Sequence, residues 1–199
     1  MTADTSKDAP MSLANLHKGS GIAVGSGKEK WYIAECRPTR EKTIRTLLEK
    51  AGYQVYVASR TEEKVYKSRN HYKKETVVIP GMVFVRTEEN KLMHIMLEYP
   101  SVYRFLLNRT AKGHPFAYVP QSEMLQLQYI LGYADNPVLL TTEQLKVGQK
   151  VKVMRGPLTG LEGWFYKEGR NSYVLIKVTM GKNHYVYTEV SQDDIQPCE

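Results

Sequence analysis

The strongest constraint on this chain is a change of texture near Leu145. Beyond it come only short alternating, β-branched or aromatic runs: Lys150-Val-Lys-Val-Met154, Trp164-Phe-Tyr166, Tyr173-Val-Leu-Ile-Lys-Val178 and His184-Tyr-Val-Tyr187. Gly156-Pro157, Gly160, Gly169 and Gly181 punctuate them, and no helical stretch intervenes. Closely spaced short strands without helices fold as a small β-barrel, here expected over 145–199.

Before the break, strand and helix signals mix. Trp31–Cys36 has a strand composition and stops at Pro38. Ile44, Leu47, Leu48 and Ala51 then repeat at helical spacing, with Gly52 as the stop, so a helix is expected over 39–51. Tyr53–Val57 reads as a second strand, and Val77–Val85 as another, entered through Pro80-Gly81. Between them, 61–76 is polar and basic, an exposed β-hairpin or a loop. Asn90 is placed to cap a short helix ending near Pro100, 101–107 reads as a strand, and Ser122 is placed to cap a helix closed by Gly132. Hairpin-length connections among these elements favour an α+β layer with a largely antiparallel sheet. The expected organisation is a disordered tail over 1–29, an α+β domain over 30–132, a linker over 133–144 and the barrel.

The charge of +7 permits an anionic partner such as nucleic acid without requiring one. Cys36 and Cys198, at opposite ends, make no disulfide or metal framework. No apolar run is long enough to span a bilayer and the first residues lack a secretory signal, so a cytoplasmic protein without membrane association is expected. Gly21–Lys28 comes close to a phosphate loop, but its spacing is wrong by a residue and Glu29 stands where Ser or Thr is needed. The five histidines show no ligand spacing with one another or with the cysteines, and no nucleophile motif occurs, so neither an enzyme nor a cofactor or metal is expected.

Two motifs carry a family resemblance. Ile79-Pro-Gly-Met-Val-Phe-Val85, supported by Trp31-Tyr32, Tyr99-Pro-Ser-Val-Tyr-Arg-Phe105 and Val119-Pro120, resembles the signature strand of the NusG N-terminal (NGN) domain. Val147-Gly-Gln-Lys-Val-Lys-Val-Met-Arg-Gly-Pro-Leu-Thr-Gly-Leu-Glu-Gly163 is similar to a KOW motif, the mark of the SH3-like barrel that follows it in that family. The resemblance covers 31–197. Within the superfamily the chain looks most like the UpxY group of specialised antiterminators tied to surface-polysaccharide operons, with Tyr129–Val138 adding to that likeness. It departs from the family pattern at Met82, where an aromatic is common, and in the polar last strand 182–189.

The resemblance implies an α/β sandwich followed by an all-β SH3-like KOW barrel, acting in transcription elongation and antitermination. Alternation along a strand puts Met82 and Phe84 on one face, and the resemblance implies that this face grips the clamp helices of RNA polymerase. Arg37, Arg40, Lys42 and Arg45 crowd a helix start, where cations oppose the macrodipole; the resemblance points them at non-template DNA. Lys64, Lys67, Arg69, Lys73 and Lys74, interleaved with Tyr66 and Tyr72, offer a second nucleic-acid contact, to DNA or nascent RNA. A solvated face explains the first cluster equally well, and simple cross-strand packing is the other reading of Tyr66 and Tyr72 in the second. The barrel is expected to recruit a ribosomal protein or termination factor. A housekeeping NusG, or a ribosome- or RNA-binding KOW protein, are the rival readings.

Overall fold

The computed structural model describes residues 28–65, 71–113, 115–143 and 148–198. The expected tail therefore lies almost wholly outside the described residues.

The N-terminal half is an α+β domain. Its strands are β1 (Lys30–Cys36), β2 (Gln54–Tyr56), β5 (Met82–Thr87), β6 (Val102–Phe105) and β7 (Tyr118–Val119). They form an antiparallel sheet in the order β2-β5-β1-β6, with β7 continuing the β6 edge against β1. Helices α1 (Glu41–Lys50), α2 (Leu92–Glu98) and α3 (Gln121–Tyr133) complete it. The polar stretch after β2 is a hairpin, β3 (Ser59–Val65) with β4 (His71–Val77), standing as its own two-stranded sheet.

Period-two alternation splits the main sheet into two apolar faces. Tyr32, Ala34, Val83, Val85 and Phe105 are buried with Ile44 and Leu48 of α1 and Leu92 and Ile95 of α2. On the other side, Trp31, Ile33 and Phe84 are buried with Met124, Leu127, Ile130 and Leu131 of α3. That second cluster runs on without a gap into Val151, Leu161, Val174, Ile176 and Val186 of the C-terminal sheet. Helix α3 is thus apolar on both sides because it is sandwiched.

The C-terminal half is all-β, as the KOW resemblance implies. Strands β8 (Val138–Thr141), β9 (Lys150–Val153), β10 (Glu162–Glu168), β11 (Asn171–Met180), β12 (Lys182–Glu189) and β13 (Ile195–Pro197) run antiparallel in the order β13-β9-β10-β11-β12-β8. Five of these fall in the stretch expected as a barrel. The sixth, β8, corrects the linker reading of 133–144: Val138 is buried and pairs opposite Thr188 of β12. A short apolar strand after Asp135-Asn-Pro137 was masked by its turn-rich neighbours.

Smaller corrections concern the helix ends. Leu47 is exposed while Ile44 and Leu48 are buried, so the apolar stripe of α1 is narrower than its spacing suggests. A 3-10 turn over Glu89–Lys91, with no side-chain cap, precedes α2. Pro120 rather than Ser122 occupies the cap of α3, and the helix continues through Gly132 to Tyr133. Arg60 stabilises that end: its guanidinium donates to the carbonyls of Ala134 (2.5 Å), Asp135 (2.8 Å) and Asn136, a cation gathering terminal acceptors where a glycine turn was expected.

Candidate functional site

The Pro80-Gly81 turn feeds β5 and is held from two sides. Cys36 N–H donates to Gly81 O (2.9 Å), and Gly81 N–H donates to Oε1 of Glu41 (2.7 Å). Glu41, in the first turn of α1, is 1% exposed. An acid at a helix start favours the macrodipole, and this one also satisfies a buried amide. Sequence reasoning missed it, although a Glu directly after a turn is a readable first-turn signal. Burial, with Glu41 and Glu35 adding to it, pushes the Cys36 thiol up to about 11, so this cysteine is a packing residue and no nucleophile.

Past the turn, the two residues expected on one contact face part company. Phe84 is 0% exposed, with its ring centroid 6.2 Å from that of Tyr56, in the core shared with α3. Met82 is half-buried and opens onto a cavity of about 430 Å³ between the N-terminal sheet and the barrel. Leu106 and Leu107 line it from one side and Met180 and His184 from the other, with Arg109 and Lys182 adding cations. Burial lowers the pKa of His184, whose Nδ1 lies 3.1 Å from Lys182 O. In this conformation Met82 is the accessible member of the pair, and Phe84 is a core residue.

The basic residues also divide. Arg37 and Arg40 are exposed at the β1–α1 turn, next to Thr39, whose φ of 78° is left-handed. Lys42 and Arg45 instead clasp Glu75 of β4: Lys42 Nζ is 3.0 Å from Oε2 and Arg45 Nη1 3.2 Å from Oε1. Ser59 donates to the same carboxylate (2.5 Å). Together these hold Glu75 down to about 2, the Ser59 hydrogen bond first among them. The pair ties the hairpin to α1, so its charge is largely spent within the molecule. Lys73 and Lys74 lie exposed on β4. Lys64 is placed on β3 by its backbone alone, opposite Tyr72, while Lys67 and Arg69 lie outside the described residues.

A set of polar contacts joining the halves went unread in the sequence. Glu123 of α3 accepts from Thr179 N–H (2.6 Å) and Thr179 Oγ1 (3.1 Å) of β11. The Tyr129 hydroxyl lies 2.9 Å from Thr159 O and 3.2 Å from Pro157 O, while Asn136 Nδ2 donates to Glu189 O (3.0 Å). Single polar residues of this kind carry no sequence signal.

Among the described residues, no group of three or more His, Cys, Asp or Glu is arranged to hold a metal ion, and no helix is long and apolar enough to cross a membrane.

An antiparallel α+β layer containing the Pro80-Gly81-entered strand β5, followed by an all-β sheet of SH3-like type, defines a two-part class of fold. The family model described as transcription termination factor NusG matches residues 29–128, just over half of the chain. The chain belongs to the NusG family, whose members are non-enzymatic transcription factors. Among solved structures, one titled "Domain interaction in Thermotoga maritima NusG" aligns at 20% identity and a TM-score of 0.46, covering 86% of this chain and 98% of that one. No curated protein matches the chain.

Proposed function

We propose that this chain is a transcription elongation and antitermination factor that binds RNA polymerase and suppresses pausing and premature termination. In this reading the domain of 30–132 docks on the clamp helices, and the barrel of 145–199, joined by β8, recruits a second protein in the cytoplasm. Holding the clamp closed disfavours open, paused states by differential binding. The observation that carries the reading is the Met82 end of the sheet in a NusG-family chain. There a flexible apolar side chain borders a roomy, mostly apolar cavity, the kind of surface that helix-in-groove docking needs. Arg37 and Arg40, exposed on the β1–α1 turn, are the cations best placed to follow a DNA backbone. The likeness to the UpxY group makes surface-polysaccharide operons the proposed targets.

The test is transcription by the host polymerase through a defined pause and a terminator. Adding the protein should shorten the pause and raise read-through. Unchanged pausing, together with tight salt-sensitive binding to free RNA, would favour an RNA-binding KOW protein. Genome-wide occupancy confined to a few operons supports the specialised role, and uniform occupancy a housekeeping one.

A further inference from the structure

The outer face of the barrel sheet carries a feature that polymerase docking does not use. Along β11, Val174, Ile176, Val178 and Met180 point inward and are buried, which turns Tyr173, Leu175 and Lys177 outward. Leu175 is nonetheless 0% exposed, because it lies between its cross-strand neighbours Trp164 and Tyr187. Around it Tyr166, Tyr173 and Tyr187 form a half-buried aromatic trio. The Tyr166–Tyr173 centroids are 5.8 Å apart, those of Tyr173–Tyr187 5.6 Å and those of Tyr166–Tyr187 6.4 Å, with Tyr187 nearly edge-on to the other two.

Carboxylates rim this platform. Glu189 sits opposite Tyr173 in register, and Glu168 follows Tyr166 on the same side of β10. Burial, and after it the charges of Glu168 and Glu143, raise the hydroxyl pKa of both Tyr166 and Tyr187, so the rings stay neutral beside the acids. Two of the basic residues of this face are occupied, and Lys177 pairs opposite Tyr185, one diagonal position from Tyr187. Lys150 and Lys152 are held by Glu162 at 3.1 and 3.9 Å. Lys177 lies four residues along β11 from Tyr173, roughly 13 Å away at strand rise. Lys167, between Tyr166 and Glu168, is exposed but turned by alternation to the opposite face, and Arg170 lies in the β10–β11 turn. In a chain of charge +7, Glu168 and Glu189 thus share the face of the three rings.

We propose that the tyrosine platform and its carboxylate rim dock an arginine-bearing segment of a basic protein. A guanidinium stacks on a tyrosine face and presents its fork to a neighbouring carboxylate, so both halves of the site select the same group. The rim disfavours the other occupant that tyrosine faces suit, single-stranded nucleic acid, by repelling its phosphates. The proposal deepens the second-partner role given to the barrel above, and its test needs no polymerase, so either reading can fail alone.

The experiment titrates the full chain with hexa-arginine, hexaglutamate and an oligouridylate, following the tyrosine signals by fluorescence and NMR. Hexa-arginine should bind and shift the resonances of Tyr166, Tyr173 and Tyr187. Tyr173→Leu and Tyr187→Leu should each weaken it about tenfold, the pair Glu168→Gln and Glu189→Gln should weaken it and lessen its salt dependence, and Tyr187→Phe should retain it. Thermal unfolding shows whether the leucine variants fold; if they do not, the phenylalanine variant and the glutamine pair decide. Equal binding by parent and glutamine pair, no shift at the tyrosines, or tighter binding of oligouridylate than of hexa-arginine would overturn the proposal.

Discussion

Gly81 adopts a φ of 76°, and a Cβ built there would sit 3.3 Å from the carbonyl oxygen of Cys36. The left-handed backbone strains any side chain there and the Cys36 carbonyl would have to give way slightly, so Gly81→Ala should cost about 1–2 kcal/mol in chemical unfolding. Gly163 serves differently from the turn glycines with which its motif groups it. It lies within β10, and a Cβ there would fall 2.3 Å from Leu175 O, so it admits the neighbouring strand rather than a turn. His184 gives the residue scale its pH dependence. Burial depresses its folded-state pKa below the ordinary value, so folding favours the neutral ring. That contribution is fully present above about 6.5 and is lost as pH falls from there through the lowered folded value. Thermal midpoints should therefore drop on acidification from neutral pH, and His184→Gln should reduce the drop.

Among the elements, the β3–β4 hairpin is held to α1 through Glu75, whose carboxylate takes Lys42 and Arg45 and whose carbonyl also accepts from Lys42 Nζ (2.9 Å). Glu75 contributes while ionised: its folded pKa is lowered, so stability is present above about 4.5 and is lost as pH falls toward about 2. Glu75→Gln should raise hydrogen exchange in the hairpin with little change in the main sheet, and exchange in the parent at low pH should approach that of the variant. The elements were legible where one physical signal dominated. The alternation of β9, the spacing of Ile44 and Leu48 in α1 and the Pro80-Gly81 entry to β5 could all be read directly, and so could the α+β and all-β classes of the two halves. Strand β8 was not, because a short run flanked by turn residues has too few positions to show a period. The candidate site was less legible. Met82 and Phe84 share a face by alternation, but only the packing of α3 and the barrel decides which one stays accessible. Likewise Arg37, Arg40, Lys42 and Arg45 look alike in sequence until Glu75, thirty residues on from Arg45, singles out two of them.

At the scale of the whole molecule, one apolar cluster joins the N-terminal sheet, α3 and the barrel, and the cavity beside Met82 lies between the halves. If Arg37 and Arg40 follow DNA, binding to elongation complexes should weaken as salt rises. The double change of both to Ala should then reduce the log–log salt slope by about 1.4–1.8, at roughly 0.7–0.9 per lost phosphate contact. An unchanged slope returns both arginines to the solvated surface. The central claim is that the Met82 end of the sheet engages RNA polymerase, and its most direct measurement is the affinity of the full chain for assembled elongation complexes. The parent and Met82→Leu should bind alike, while Met82→Asp should bind at least about tenfold more weakly with its thermal midpoint nearly unchanged, a charge having been set in an apolar contact. Binding by Met82→Asp as tight as by the parent, or a parent that does not bind polymerase, would contradict the account.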